Sequence, residues 1–276
     1  MTARSGSIGA TGNWFRIREP LSFLTRVVLG LIPIAVLLGL WIGLTAGEVE
    51  ERVISPLILP SPFEVINSFR GLWFESELSR SVVASTMRVV GGFVVAVVIA
   101  LPLGILMGSF SKVNALFEPL VVFGAYLPIP TLVPLTMSLF GIGELQKVMF
   151  LAIAFLVFLL PLFARALRDV DDVYLRTAET LGASRLEIVR HVLVAIALPR
   201  MYDAMRLCFG IGWTYIVLAE MVAADRGLGQ IIIIAQRRGP REYIYLVLLV
   251  IVLLAYATDK LWMKVGNMLF PYREAE

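Results

Sequence analysis

Three stretches of this chain, residues 27–47, 89–111 and 119–143, contain no charged residue at all. Each matches the roughly 20 helical residues that cross a hydrocarbon core. Two further uncharged runs, 148–164 and 243–258, are shorter. A sixth apolar stretch, 198–224, is interrupted by Arg200, Asp203, Arg206 and Glu220. None alternates apolar and polar residues with period two, so a membrane barrel is not predicted. Helices are the remaining way to satisfy backbone polar groups in lipid. The pattern predicts an all-α, polytopic membrane protein of about six transmembrane helices.

The composition agrees, at 59% hydrophobic and 16% charged, with a mean hydropathy of +0.86. Soluble domains are about half apolar and about a quarter charged. A formal net charge of +3 suits basic membrane flanks, and no basic patch interleaved with aromatics predicts nucleic-acid binding. The single cysteine, Cys208, excludes a disulfide within the chain and predicts a packed thiol. The run 27–47 is longer than the roughly 7–15-residue core of a signal peptide, so it is expected to be an uncleaved first span.

Residues 1–20 read as a flexible polar tail ahead of one transmembrane domain, 21–276. Arg4, Arg16, Arg18 and Arg26 precede the first span and favour a cytoplasmic N-terminus. The loops 109–117 and 165–200 and the C-terminus would then be cytoplasmic too. Arg237, Arg238 and Arg241 would lie outside, against the bias. In the first external loop, Ser61, Pro62 and Glu64 predict a capped helix start. Phe63, Ile66, Phe69 and Trp73 follow at helical spacing, predicting a short helix at the membrane interface. Pro128, Pro130 and Pro134 interrupt the third span and free carbonyls a turn earlier. Such a span either lines a watery path or is simply kinked.

The stretch 171–193, DDVYLRTAETLGASRLEIVRHVL, is polar between two apolar regions. Asp171 and Asp172 favour a helix start, and Gly182 suits a helix stop. Ser184 and Glu187 form a second capping box. Leu186, Val189, Leu193 and Ile196 then make one apolar stripe. Two short helices joined at a sharp Gly-Ala turn are predicted. They suit either a groove in another protein or the lipid headgroups. The defined elbow favours the groove.

Together, "TLGASR" with its downstream "LP", "LPSP" (59–62), "TMRVVGGFVVAVVIALPLGILMG" (86–108), "PIPTLVPL" with "FGIG" (128–143) and "AEMVAADRGLG" (219–229) resemble the permease subunits of type I ABC importers. The likeness runs over roughly 55–270, in the branch that imports nitrate, sulfonates, taurine and bicarbonate. The family's loop normally has Glu six residues before the glycine, where this chain has Arg176, and Ala where it has Thr177. Ala178 and Gly182 match. The usual Leu-Pro about twelve residues after the glycine is Val194-Ala195, whereas Leu198-Pro199 conforms. The resemblance implies that 171–197 is a cytoplasmic coupling loop between spans four and five. Arg176, Ala178, Glu179, Leu181, Gly182, Ala183, Ser184, Arg185 and Leu186 would then dock on an ATPase. It further implies two ATPase subunits, a second permease copy, a periplasmic or lipid-anchored solute-binding protein and a bacterial inner-membrane location. ATP and Mg would be bound by the partner ATPase, with no cofactor in this chain.

No G-x-x-x-x-G-K-[ST] phosphate loop is present. His191 is the only histidine, so no histidine-based metal or catalytic cluster is predicted in the spans, and the chain is not expected to be an enzyme. The third and fifth spans are expected to line the path, through Thr131, Met137, Ser138, Trp213, Thr214, Tyr215 and Glu220. For Glu220, Arg206 and Arg88, structural pairing is favoured over solute contact, and Arg88 could instead snorkel to the interface. A secondary transporter or channel is the competing class. It would need an intramembrane acid, and Glu220 is the candidate.

Overall fold

The computed structural model describes residues 21–50, 52–74, 76–222 and 224–272. The tail expected at 1–20 lies outside them. Two compact units divide at Pro56 and Leu57. The first contains α1 (Phe23–Leu44), capped by the Ser22 hydroxyl accepting from the Thr25 amide at 3.2 Å. None of its residues is buried, which suits a helix that is apolar all round and meant for lipid.

The second unit begins with two short helices, α2 (Pro62–Asn67) and α3 (Phe69–Phe74). The expected capping box is formed: the Ser61 amide donates to Glu64 at 2.8 Å and the Glu64 amide to Ser61 at 3.3 Å. Val65 and Leu72 are buried, while Phe63, Ile66, Phe69 and Trp73 are exposed; the one short helix expected to carry all four is two, because α2 stops at its C-cap, Ser68.

The core is built on α4 (Leu78–Ser109) and α7 (Glu144–Arg168). Along α4, Gly92, Ala96, Ala100, Gly104 and Gly108 recur every fourth residue. Along α7, Leu151, Phe155, Leu159, Phe163 and Leu167 do the same and are fully buried. Small residues let helix backbones approach closely in membranes. A Cβ at Gly92 would sit 2.6 Å from that of Leu151, and those at Gly104 and Gly108 equally close to Phe163 and Leu167. The constant offset of these pairs means that α4 and α7 run parallel.

That parallel pairing settles the third span. The chain leaves α4 through Phe110 alone and enters α5 (Ser111–Ala125) directly, so the expected 109–117 loop is helix, with Lys112 in its first turn. After Tyr126–Pro128 come a 3-10 turn (Ile129–Thr131) and α6 (Leu132–Phe140), bent 89° from α5. Because α7 starts again at the level where α4 started, α5 and α6 together carry the chain back across. They are one broken span.

After α7 come α8 (Asp172–Thr180), α9 (Arg185–Glu187), a π-helical turn (Ile188–Leu193) and α10 (Val194–Met221). The last helices are α11 (Leu228–Arg238) and α12 (Arg241–Leu269). α10 is antiparallel to α12: Trp213 donates to Thr258 at 3.1 Å, Arg206 forks Asp259 at 2.6 and 2.9 Å, and Tyr202 donates to the Trp262 carbonyl at 2.7 Å. Phe93 meets Phe155, Phe209 and Trp262 edge-on at 5.2–5.7 Å, an arrangement aromatic rings prefer. Cys208 is buried, as expected.

The six expected spans thus fall on α1, α4, α5–α6, α7, α10 and α12. Four of these helices are long and apolar enough to cross a membrane, five crossings with the bent pair. α10 is not among them and carries Arg200, Asp203, Arg206 and Glu220. In the second unit, the α4–α5 corner, the 171–184 elbow and the end of α12 share one side. The α6–α7 corner and α11 share the other. From Arg88 to Ser109, α4 rises about 31 Å, close to a hydrocarbon core of about 30 Å.

Candidate docking elbow and a buried ionic knot

The elbow is shaped by its own backbone. Asp171 accepts from the Val173 amide at 2.9 Å and starts α8. At its end, the Ala183 amide donates to the Ala178 carbonyl at 3.0 Å and the Gly182 amide to Glu179 at 2.9 Å. This is the paired-bond helix stop that requires a left-handed residue, and Gly182 supplies it at φ +80°. The next helix starts at once: the Ser184 amide donates to Glu187 at 2.8 Å, and the Glu187 amide to Ser184 at 3.4 Å. Hydrogen bonding to the Glu187 carboxylate from the Ser184 side chain, and from the Ser184 amide, holds it below the usual carboxylate range. A stop and a start set end to end leave the turn little freedom.

Nothing in α8 is buried. Val173, Tyr174, Leu181 and Leu186 stand exposed, Leu181 at 81% and Leu186 at 75%. Arg176, Glu179, Gly182, Ser184 and Arg185 are also exposed, and Ala178 and Ala183 are half-buried. The nine expected docking residues therefore gather on one bend.

Two expectations are corrected here. The second helix is not a short separate one, because α9, the π turn and α10 continue without a break from Arg185 to Met221. Nor do Leu186, Val189, Leu193 and Ile196 keep to one face: Leu193 is buried, Val189 half-buried, and Leu186 and Ile196 exposed. Ile188 and Leu193 are buried, five apart, because the wider π turn shifts the helix phase. Leu186 is left facing out.

At the far end of this helix lies a cluster the sequence reading reached only in part. The Arg88 Nε and Nη2 fork the Glu144 carboxylate, each at 2.6 Å. Its Nη1 donates to Glu220 and to the Arg226 carbonyl, both at 2.6 Å. Glu220 also accepts from Ser85 at 2.7 Å and from the Gly229 amide at 2.9 Å, while Ser85 accepts from the Leu228 amide at 3.0 Å. A Cβ at Gly227 would overlap the Glu220 carboxylate. Arg88 and Glu220 are 5% and 0% exposed in their side chains, whereas Glu144 is 65% exposed. Arg88 therefore does not snorkel; it is buried, paired with the buried Glu220 on one side and the exposed Glu144 on the other. Lys147 is also buried and donates to the Gly143 carbonyl at 3.0 Å. Glu144 was missed. Its signal was a lone acid closing an uncharged run, at the level where Arg88 opens another.

The expected path residues do not form one group. Thr131, Ser138 and Thr214 are exposed, and Met137 and Tyr215 are half-buried. Trp213 and Glu220 are buried and engaged with Thr258 and Arg88.

Comparisons with known proteins agree with this architecture. Residues 100–259 match the profile of a family described as the binding-protein-dependent transport system inner membrane component. A taurine transport system permease from Escherichia coli is 32% identical, over 77% of this chain and 77% of its own length. A nitrate import permease from Synechocystis sp. is 27% identical over 78% of this chain and 79% of its own. In fold, the chain is similar to the inward-facing MetNI methionine ABC transporter, at a TM-score of 0.63 and 22% identity, over 69% of this chain and 95% of that one. The chain belongs to the inner-membrane components of binding-protein-dependent transport systems, the permease subunits of ABC importers.

Proposed function

We propose that this permease carries a small anion of the taurine, sulfonate, nitrate or bicarbonate kind inward, driven by ATP that a separate subunit hydrolyses. The observation that carries the proposal is the elbow at 171–187: rigid, unburied, apolar at Val173, Tyr174, Leu181 and Leu186, and continuous with a membrane helix. Membership of the family implies ATPase and solute-binding-protein partners and an inner-membrane location. In our reading the elbow seats in a groove of the ATPase, which must also accept Arg176. The elbow side, with the C-terminus, is cytoplasmic, and so is the N-terminus. Two copies of this chain pair with two ATPases, which bind the ATP and Mg. A periplasmic or lipid-anchored binding protein delivers the solute to the opposite face. The chain itself performs no chemistry.

ATP can move the bundle only through a difference in its affinity for the two conformers. An almost complete switch takes about 5.5 kcal/mol. A helix running about 50 Å from Arg185 to Met221 can transmit that difference; a loop held by few bonds cannot. Thr131, Met137, Ser138, Thr214 and Tyr215 would line the path, with Trp213 and Glu220 supporting it from behind. The secondary-transporter alternative needs a free intramembrane acid. Glu220 is committed to Arg88, Ser85 and Gly229, which weighs against it.

Reconstitution into vesicles with the ATPase and binding protein tests this. Uptake of labelled taurine or nitrate is expected only with all three proteins and ATP. Movement of solute by this chain alone, without nucleotide, would overturn it.

A further inference from the structure

We propose that Arg88 is a positioning residue of transport: it ties the far end of the docking helix to the broken span, so that displacement of the elbow reaches the path. The inference rests on the import reading above. The uninterrupted helix from Arg185 to Met221 has Glu220 in its last turn. Glu220 binds Arg88, and Arg88 forks Glu144, the first residue of α7. The same first turn of α7 grips the broken span. Gln146 donates to Thr136 of α6 at 3.0 Å, both buried, and Lys147 donates to the Gly143 carbonyl in the α6–α7 corner. Elbow, rod, Arg88, α7 corner and α6 therefore form one chain of direct contacts.

The two halves of the knot differ. Glu220 is sealed in, so its pair with Arg88 cannot open without stranding a buried charge. Glu144 is largely exposed and can be hydrated if it lets go of Arg88 while staying near the buried Lys147, 3.9 Å away, and Glu220 still neutralises Arg88. The Arg88–Glu144 contact is thus the one that can form and release during a cycle. Glu144 touches neither the elbow nor the exposed path residues.

Cys208 is buried, so a cysteine introduced at the exposed Ser138 of α6 takes a spin label selectively. The full complex with the ATPase purified alongside it is reconstituted in vesicles. With native Glu144, adding ATP is expected to change the label's spectrum. In Glu144→Ala and Glu144→Gln that response should shrink about ten-fold, within the usual range of coupling between sites. ATP hydrolysis should persist in both variants, since the docking surface is untouched and turnover need not follow the coupling between sites. Glu144→Asp, which keeps both carboxylate oxygens, should recover part of the response. An unchanged response in the Ala and Gln variants overturns the proposal. So does failure of both to assemble, which would make the contact one of folding, and so does an unresponsive label in the native complex while ATP is hydrolysed. If the native chain binds no ATPase at all, the import reading itself falls.

Discussion

The two ends of the helix from Arg185 to Met221 solve opposite problems. At the Glu220 end every strong polar group is paired inside the chain, across α4, α7, α10 and the start of α11. At the Ser184 end the backbone and the capping box are satisfied, but among the described residues nothing covers Leu181 and Leu186. The first end is closed, and its stability is intrinsic. The second end is shaped but unfilled, and its apolar surface gains nothing until a partner covers it. Exposed apolar side chains on a preformed bend are what a docking element should show, because ordering a flexible one on binding would cost affinity. Loss of the buried Arg88–Glu220 pair at the closed end should therefore be felt by the chain even without partners, and damage to the open end only in the assembly.

The sharpest way to break that contrast is Arg88→Met. It leaves Glu220 buried without its cation, and removing one partner of a buried pair costs about 3–5 kcal/mol. Loss of the folded protein, or a marked fall in the thermal midpoint in detergent, is expected before any ATPase is added. Arg88→Lys should recover little, because an ammonium cannot fork Glu144 while also reaching Glu220. A normal midpoint for Arg88→Met would show that the knot is not what closes this end.

A smaller effect, in the opposite place, is expected for Gly182→Val. A β-branched residue at φ +80° is strained by about 1–2 kcal/mol. Among the described residues, nothing lies within 4 Å of a Cβ there, so the strain is conformational and local to the elbow. Membrane insertion and the detergent midpoint should hold, while co-purification of the ATPase, or uptake per ATP, falls. Normal transport in this variant would count heavily against the docking role.

How much of this could be read beforehand follows from the range of the forces involved. The elbow was almost wholly legible, since Asp171, Gly182, Ser184 and Glu187 act on backbone a few residues away. The spans were legible because bilayer thickness sets a length. The π turn was not, because no capping or breaking residue within 188–193 marks it; it shows only in which residues, Ile188 and Leu193, the folded bundle buries. The knot was half legible: Arg88 and Glu220 were conspicuous in apolar surroundings and pairing was expected, but nothing local joins Arg88 to Glu144 or to Glu220 across the chain. Its register comes from α4 running parallel to α7. The four-residue repeat of small residues from Gly92 to Gly108, opposite the large ones from Leu151 to Leu167, was present to be read as a packing seam. It was masked by the uniform greasiness that identified the spans.

The mildest expected effect is also the one that best separates shape from surface at the open end. Ser184→Ala removes the hydroxyl that accepts from the Glu187 amide, and loss of such a cap typically costs about 1 kcal/mol of local helix stability. The exposed side chains of Leu181 and Leu186 stay in place. If docking depends on the preformed bend, affinity for the ATPase should fall about five-fold, as that loss predicts, with the detergent midpoint unchanged. Acid should mimic it. Glu187 titrates below its unfolded value of about 4.3, because Ser184 favours the charged form. Its contribution is therefore present above that pH and is lost as pH falls through the lower folded value. ATPase binding by the native chain should weaken over that window, and Glu187→Gln, which keeps an acceptor for the Ser184 amide but carries no charge, should flatten this part of the profile. Equal binding by Ser184→Ala and the native chain would mean that the apolar side chains suffice and that the rigid bend contributes nothing.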